Sequence, residues 1–209
     1  MSRFLMIDIG AGTLDLLYYD ARSGEHFKAV APSPVRLVAE EIERTRGPLV
    51  VRGVEMGGGP VSDAMRRRAQ TDAVVISTTA AATLHHDLDK VRAGGLTLAD
   101  ADHIDALTRN PDYTAVTLGD VQPERIGQIV AGMGLPMDFQ AVVLCAQDHG
   151  VAPKGVSHLE FRHTLFQEML ADRPTPHRLL FRDNEVPGPF NRLASMALTA
   201  QRLNTREVY

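Results

Sequence analysis

The chain has 209 residues, 44% of them hydrophobic, with a formal charge of -4 spread over both signs; this suits one large α/β domain, or one domain with a small appendage. No basic run exceeds Arg66-Arg67-Arg68, which leaves no footprint for nucleic acid, and the triplet is expected on a solvated helix face. Cys145 is the single cysteine, which excludes intrachain disulfides and sites built from several thiolates.

No apolar stretch nears the roughly 20 residues of a membrane span, and Asp8 interrupts the one leader-like start, so a soluble, cytoplasmic protein without membrane partners is expected. Phe4 to Ile9 are nearly all apolar, which predicts a central strand covered on both faces and running into Gly10-Ala11-Gly12-Thr13. Leu14 to Asp20 predicts a second strand and His26 to Val30 a third, joined by short turns into an antiparallel meander. Ser33 before Pro34 marks a helix start, because the hydroxyl accepts from free amides and proline needs no donor in the first turn. Val35, Val38 and Ile42 share that helix's inner face, and Gly47 stops it.

Pro48 to Val51 predicts a strand leading to Gly57-Gly58-Gly59-Pro60, with a short helix near Val61 to Ala69. Ala73 to Ser77 predicts another buried strand, feeding a helix from about Thr79 to Ala93 with Leu84, Leu88 and Val91 as its stripe. Leu96 to Pro111 carries mixed signals, Tyr113 to Leu118 predicts a strand, and Ile126, Ile129, Val130 and Met133 fall at helical spacing. Ala141 to Ala146 predicts a second core strand holding Cys145 inside it, and Gln147-Asp148-His149-Gly150 stands at its carboxyl end, where open α/β sheets place ligands. Phe161, Leu165 and Met169 predict a further amphipathic helix, Arg173-Pro174-Thr175-Pro176 a break, and Phe190 to Leu203 a last helix.

Asp8-Ile9-Gly10-Ala11-Gly12-Thr13-Leu14-Asp15 is the segment richest in chemistry: two carboxylates and a hydroxyl around two glycines, between two strands. Glycines let successive amides approach an anion as a nest, Thr13 adds a hydroxyl donor, and Asp8 at a strand end suits Mg²⁺ held through water. The plainer alternative is a hairpin turn whose buried aspartate is satisfied by local amides. A dinucleotide fingerprint is disfavoured, since a strand and not a helix follows and the third glycine is missing, and no P-loop lysine motif occurs. Gly57-Gly58-Gly59, beside Glu55, reads equally as a second amide nest or as a flexible turn before a proline-started helix. Asp148 is a candidate for orienting a water or a substrate hydroxyl, with Gln147 and His149 beside it, or else a capped loop aspartate. His85-His86-Asp87 invites a metal reading, but on the proposed helix His86 faces water, and His85 with Asp89 makes only a two-ligand pair.

On Asp8, Gly10, Gly12 and Thr13 the chain resembles the actin, heat-shock-chaperone and sugar-kinase superfamily, whose first phosphate loop is a strand-turn-strand of this kind. Together with Met56-Gly57-Gly58-Gly59-Pro60, Thr78-Thr79-Ala80-Ala81-Ala82-Thr83 and Gln147-Asp148-His149-Gly150, it resembles over most of its length a prokaryotic family labelled "putative pyruvate formate-lyase activating enzyme". The resemblance implies an α/β, ribonuclease-H-like mixed sheet with an antiparallel first three strands and flanking helices. It also implies ATP with Mg²⁺ bound between two lobes. Residues 1–209 then form a first lobe, with an insertion at about 72–118, a helical segment at about 158–209, and the second lobe supplied by another segment or a homo-oligomer partner. The expected phosphate-binding residues are Gly10, Ala11, Gly12, Thr13 and Asp15, with Gly57, Gly58 and Gly59; Asp8 holds the metal and acts with Asp148 in phosphoryl transfer or hydrolysis. A non-catalytic interaction or regulatory protein that keeps the fold is the alternative. A radical activating enzyme needs three closely spaced cysteines for its iron-sulfur cluster, so Cys145 alone argues against that chemistry and that cofactor.

Overall fold

The computed structural model describes residues 2–209. In chain order the elements are β1 (Arg3–Ile9), β2 (Thr13–Asp20), β3 (Glu25–Pro32), α1 (Pro34–Arg44), β4 (Leu49–Gly53), α2 (Pro60–Arg68), β5 (Val74–Ser77), α3 (Thr78–Ala81) and α4 (Leu88–Ala93). There follow β6 (Thr97–Ala99), α5 (Ala101–Thr108), β7 (Thr114–Leu118), α6 (Pro123–Gly132), β8 (Phe139–Ala146), α7 (His158–Asp172), α8 (Asn191–Ala200) and β9 (Thr205–Val208). The chain forms two compact units, one from the segment ending at Gly10 with Asp15–Val30 and Val121–Tyr209, the other from Ala11–Leu14 with Ala31–Asp120. α1 and β4 belong to the sheet system of the second of these units. Among the described residues no helix is long and apolar enough to cross a membrane.

The first unit is built on a five-stranded mixed sheet in the order β3-β2-β1-β8-β9. β1 runs parallel to β8, with Phe4 beside Ala141 and Asp8 beside Cys145, and β8 runs parallel to β9. Leu5, Ile7 and Ile9 of β1 and Leu14, Leu16 and Tyr18 of β2 are buried, as alternation along a strand requires of one covered face. α8 lies on β8 and buries Met196, Ala197 and Ala200, while α6 buries Ile126 and Val130. The opposite face stays open: Met6, Leu17 and Val143 are half-buried, Asp8 and Cys145 are exposed, and Val30 is 67% exposed. The expectation that β1 and β8 are covered on both faces, with Asp8 and Cys145 in the core, is thus corrected. β9 went unread in the sequence because Thr-Arg-Glu-Val shows no apolar alternation; main-chain pairing makes it, with the Tyr209 amide donating to Val142 at 2.9 Å and the Leu144 amide to Tyr209 at 2.8 Å.

The second unit carries a four-stranded parallel sheet in the order β6-β5-β4-β7. Both of its faces are covered, one by a cluster that joins Leu49, Val51, Ile76 and Val116 to α1 and α2, the other by Val50 and Val75 against Ile104 of α5. Ser33 caps α1 by accepting from the Val35 amide at 3.2 Å. Gly53, at φ +107, brings the end of β4 so near β7 that a Cβ there would lie 2.1 Å from the Leu118 carbonyl oxygen. The arginine triplet divides: Arg67 pairs with Glu43 at the surface, whereas Arg68, its side chain 9% exposed, donates to the carbonyls of Ile42, Thr45 and Gly47. Those carbonyls at and beyond the C-terminus of α1 need donors, and a buried guanidinium supplies several at once.

The continuous helix expected from Thr79 to Ala93 is two short ones. After Ala81 the chain tightens into turns, with the Thr83 and Leu84 amides donating to the Ala80 and Ala81 carbonyls, and the polar side chains beyond are engaged elsewhere: Thr83 Oγ1 accepts from the Met56 amide, and Asp87 accepts from the Asp89 amide as the cap of α4. Leu84 and Val91 still enter the core, so the apolar spacing was real although the helix is interrupted.

Candidate functional site

The hairpin between β1 and β2 turns through Gly10, Ala11 and Gly12, all exposed, and Thr13, also exposed, opens β2. A Cβ at Gly12 would meet nothing within 4 Å, and its φ lies outside the left-handed region. Glycine there is not demanded by strain; it leaves the space above the turn open. The Gly12 carbonyl accepts from the Ser33 amide at 3.0 Å, which ties the turn to the start of α1.

On the open face of the first unit's sheet lies a groove of about 400 Å³, whose walls include Asp8, Asp15, Lys28 and Cys145 over a floor of Met6 and Leu17. Strand alternation puts these groups together, since Asp8 and Cys145 are register partners across β1 and β8. Partial burial of the sulfur pushes the Cys145 thiol up from its ordinary value, and the charge and hydrogen bond of Asp8 push it further. The residue is exposed as a whole, so the thiol is accessible but protonated at neutral pH. Cys145 and Lys28 were not singled out as groove residues from sequence; only the pairing register, which no local pattern reveals, brings them to Asp8.

The glycine triplet of the second unit is arranged differently. The Gly57 amide donates to both carboxylate oxygens of Asp120, at 3.1 and 3.3 Å, and Asp120 is buried just past β7. The anion in that nest is therefore the protein's own. Gly58 is required by packing, since a Cβ would sit 2.9 Å from the Thr83 carbonyl oxygen, and Gly59, at φ +50, is the N-cap of α2 ahead of Pro60. His86 is exposed, as expected, and pairs there with Glu55 at 3.0 Å. His85 accepts from the Asp87 amide and Asp89 pairs with Arg92, so the spacing of His85 and Asp89 builds no joint site.

At the carboxyl end of β8, Asp148 is buried and both of its oxygens are engaged. Oδ1 accepts from the Gly150 amide at 2.9 Å, and Oδ2 accepts from the Leu193 amide in the first turn of α8 at 3.0 Å. This is a capping geometry, favourable for a carboxylate at a helix N-terminus. The Gln147 carbonyl accepts from Arg192 at 2.7 Å, and His149 Nδ1 lies 2.8 Å from an Arg162 guanidinium nitrogen. Gln147, Asp148 and His149 thus hold α7 and α8 to the end of β8. Among the described residues no group of three or more His, Cys, Asp or Glu side chains is placed to hold a metal ion.

No curated protein matches the chain. Residues 56–209, well over half of it, match the family described as "Putative pyruvate format-lyase activating enzyme (DUF1786)", a match that starts beyond the first hairpin, and the chain belongs to that family.

Proposed function

We propose that the first hairpin, β1 and β2 with the turn that joins them, is the phosphate-binding part of an actin-like ATPase or kinase with a ribonuclease-H-like sheet. The observation that carries this reading is the hairpin: an exposed glycine turn with free space over Gly12, flanked by the carboxylates of Asp8 and Asp15 on an open sheet face. The strand order supports it as well, an antiparallel meander followed by two parallel strands on the far side of β1.

The residues present fit a Mg²⁺-nucleotide. Beside Gly10, Ala11 and Gly12 offer main-chain donors and Thr13 a hydroxyl, while Asp8, aided by Asp15, supplies oxygen ligands. Two carboxylates are enough, because Mg²⁺ keeps several waters and takes further ligands from phosphate. When bound, the metal neutralises phosphate charge; the chain's part is to position and orient. Asp148 has both oxygens committed to amides, which favours a role in binding and architecture over one as acceptor base.

The radical chemistry in the family description does not fit this chain's residues. Cys145 cannot by itself supply the three thiolates of an activating enzyme's iron-sulfur cluster.

Calorimetric titration with ATP and Mg²⁺ tests the proposal. Binding is expected, weakened about tenfold or more in Asp8→Ala and in Thr13→Ala, as loss of a charge-assisted contact implies. A folded protein that binds no nucleotide, or variants that bind as tightly as the parent, would overturn it.

A further inference from the structure

A second cavity lies in the first unit, and none of the hairpin's residues lines it. Its volume is about 260 Å³, just under the usual range of roughly 300 to 1,000 Å³ for small-molecule sites. Leu144 from β8 and Leu193 and Ala197 from α8 wall it on one side; Phe166 of α7 and Phe181 close it on the other. Asp148 also reaches the wall, but its oxygens are taken up by the Gly150 and Leu193 amides and bring no open hydrogen-bonding demand to the interior.

The roof is incompletely buried. Leu170 is 54% exposed and Leu180 50%, although both line the cavity, and the apolar groups of α7 show little segregation to one face. Solvent-exposed leucine around an apolar hollow is the arrangement expected of a site whose filling comes from outside.

What distinguishes this hollow from a packing defect is the polar ground that its Tyr209 wall touches. Tyr209 lines the cavity, its hydroxyl donates to Glu207 at 2.6 Å, and the Arg182 guanidinium carbon stands 5.7 Å from its ring centroid. Arg182 and Glu207 also line a separate polar hollow of about 240 Å³, together with Arg206. The carboxylates there are already engaged, Glu207 by Tyr209 and Asp183 by Gln201 at 2.8 Å, whereas Arg206 makes no side-chain hydrogen bond or ion pair among the described residues. Asp183 and Glu207 offset the charge of Arg182 and Arg206, but their engaged oxygens leave the Arg206 guanidinium as the donor of that hollow with no side-chain partner among the described residues.

We infer that the first unit binds a small amphipathic anion, an acyl chain or ring carrying one carboxylate, with its apolar part between α7 and α8 and its carboxylate at Arg206 and Arg182. The apolar part gains from leaving water, and the carboxylate takes charge-assisted hydrogen bonds from guanidinium groups that fit it. The ligand is short, since the cavity is small.

Octanoate and 1-octanol are the probes, titrated into the full chain by calorimetry and followed through the methyl resonances of Leu144, Leu193 and Val186. Octanoate is expected to bind and to shift those methyls. Arg206→Gln is expected to weaken octanoate about tenfold while leaving octanol unchanged, as removal of one charged partner from a shared head group implies. Val186→Trp at the half-buried rim and Ala197→Phe in the wall fill the same space, so whichever of them folds should lose both ligands. The inference is overturned if octanoate fails to bind the folded chain more tightly than about 1 mM, if shifts appear only at surface leucines such as Leu159 and Leu198, or if Arg206→Gln and the filling variant bind octanoate unchanged. No arm uses nucleotide, so failure here leaves the phosphate-binding proposal standing, and the reverse holds.

Discussion

The central strands of the two units, β1 and β4, are both apolar runs in the sequence, yet they live in different surroundings. Leu49, Val50 and Val51 of β4 are all fully buried, with α1 and α2 over one face and α5 over the other. In β1 only every second residue is buried, and the intervening Met6 and Asp8 look onto an open groove. An all-parallel sheet needs helices on both sides, because its crossovers put them there, whereas a sheet that begins with a meander can leave one side free. The lesson is that an apolar run fixes the strand but not its second face; the connections decide that. The face left free is also the one on which Asp8 and Asp15 of the proposed phosphate site stand.

Truncation tests that contrast most strongly. Leu49→Ala in the second unit should destabilise by about 2 to 5 kcal/mol, the range for cavities in closed cores, whereas Met6→Ala on the open face should stay well below about 2 kcal/mol. Urea denaturation of both variants checks it, and equal losses would mean that the open face is as tightly packed as the closed one. A smaller effect is expected at Asp148, where the first unit relies on a polar cap instead of apolar packing. Asp148→Ala should cost about 0.5 to 2 kcal/mol, the range for lost helix caps, with faster hydrogen exchange at the Gly150 and Leu193 amides. Unchanged exchange there, with loss of some catalysed turnover, would restore Asp148 to a chemical role.

The smallest effect concerns Cys145. Its raised thiol pKa means that the folded chain holds the proton more tightly than the unfolded one, so this group's contribution to stability is full below the unfolded value and declines as pH rises through the folded one. Alkylation by iodoacetamide near pH 8 should be slower than for an unhindered thiol, and Asp8→Asn should accelerate it by a few fold by removing the neighbouring charge. No acceleration would show that Asp8 and Cys145 are not coupled across the strands.

Most of the strands and helices were legible because their signals are local. Ser33 and Pro34 announce α1, Val35, Val38 and Ile42 its buried face, and Ile126 and Val130 that of α6. What escaped is set by long-range pairing. β9 has one buried side chain, so nothing in its composition marks it, and its ladder to β8 makes it a strand. Arg68 read as one of three surface arginines, because the carbonyls it caps lie more than twenty residues earlier. At the candidate site the hairpin was legible from its glycines and aspartates, while the partnership of Gly57 with Asp120 was not, since 63 positions separate them.

The neighbour relation of Phe4 and Ala141 also governs the order in which the molecule can be built. β1 is made before β8 and has no partner on that side until residues 31–120 have followed, whereas those residues run without interruption and hold all four strands of their own sheet. Residues 31–120 can therefore fold during synthesis while β1 and β2 wait, their apolar residues unsheltered on one edge. Non-local pairing of this kind is slow and exposed to misassociation, so β1 and β2 are the strands at risk while β8 is still to come.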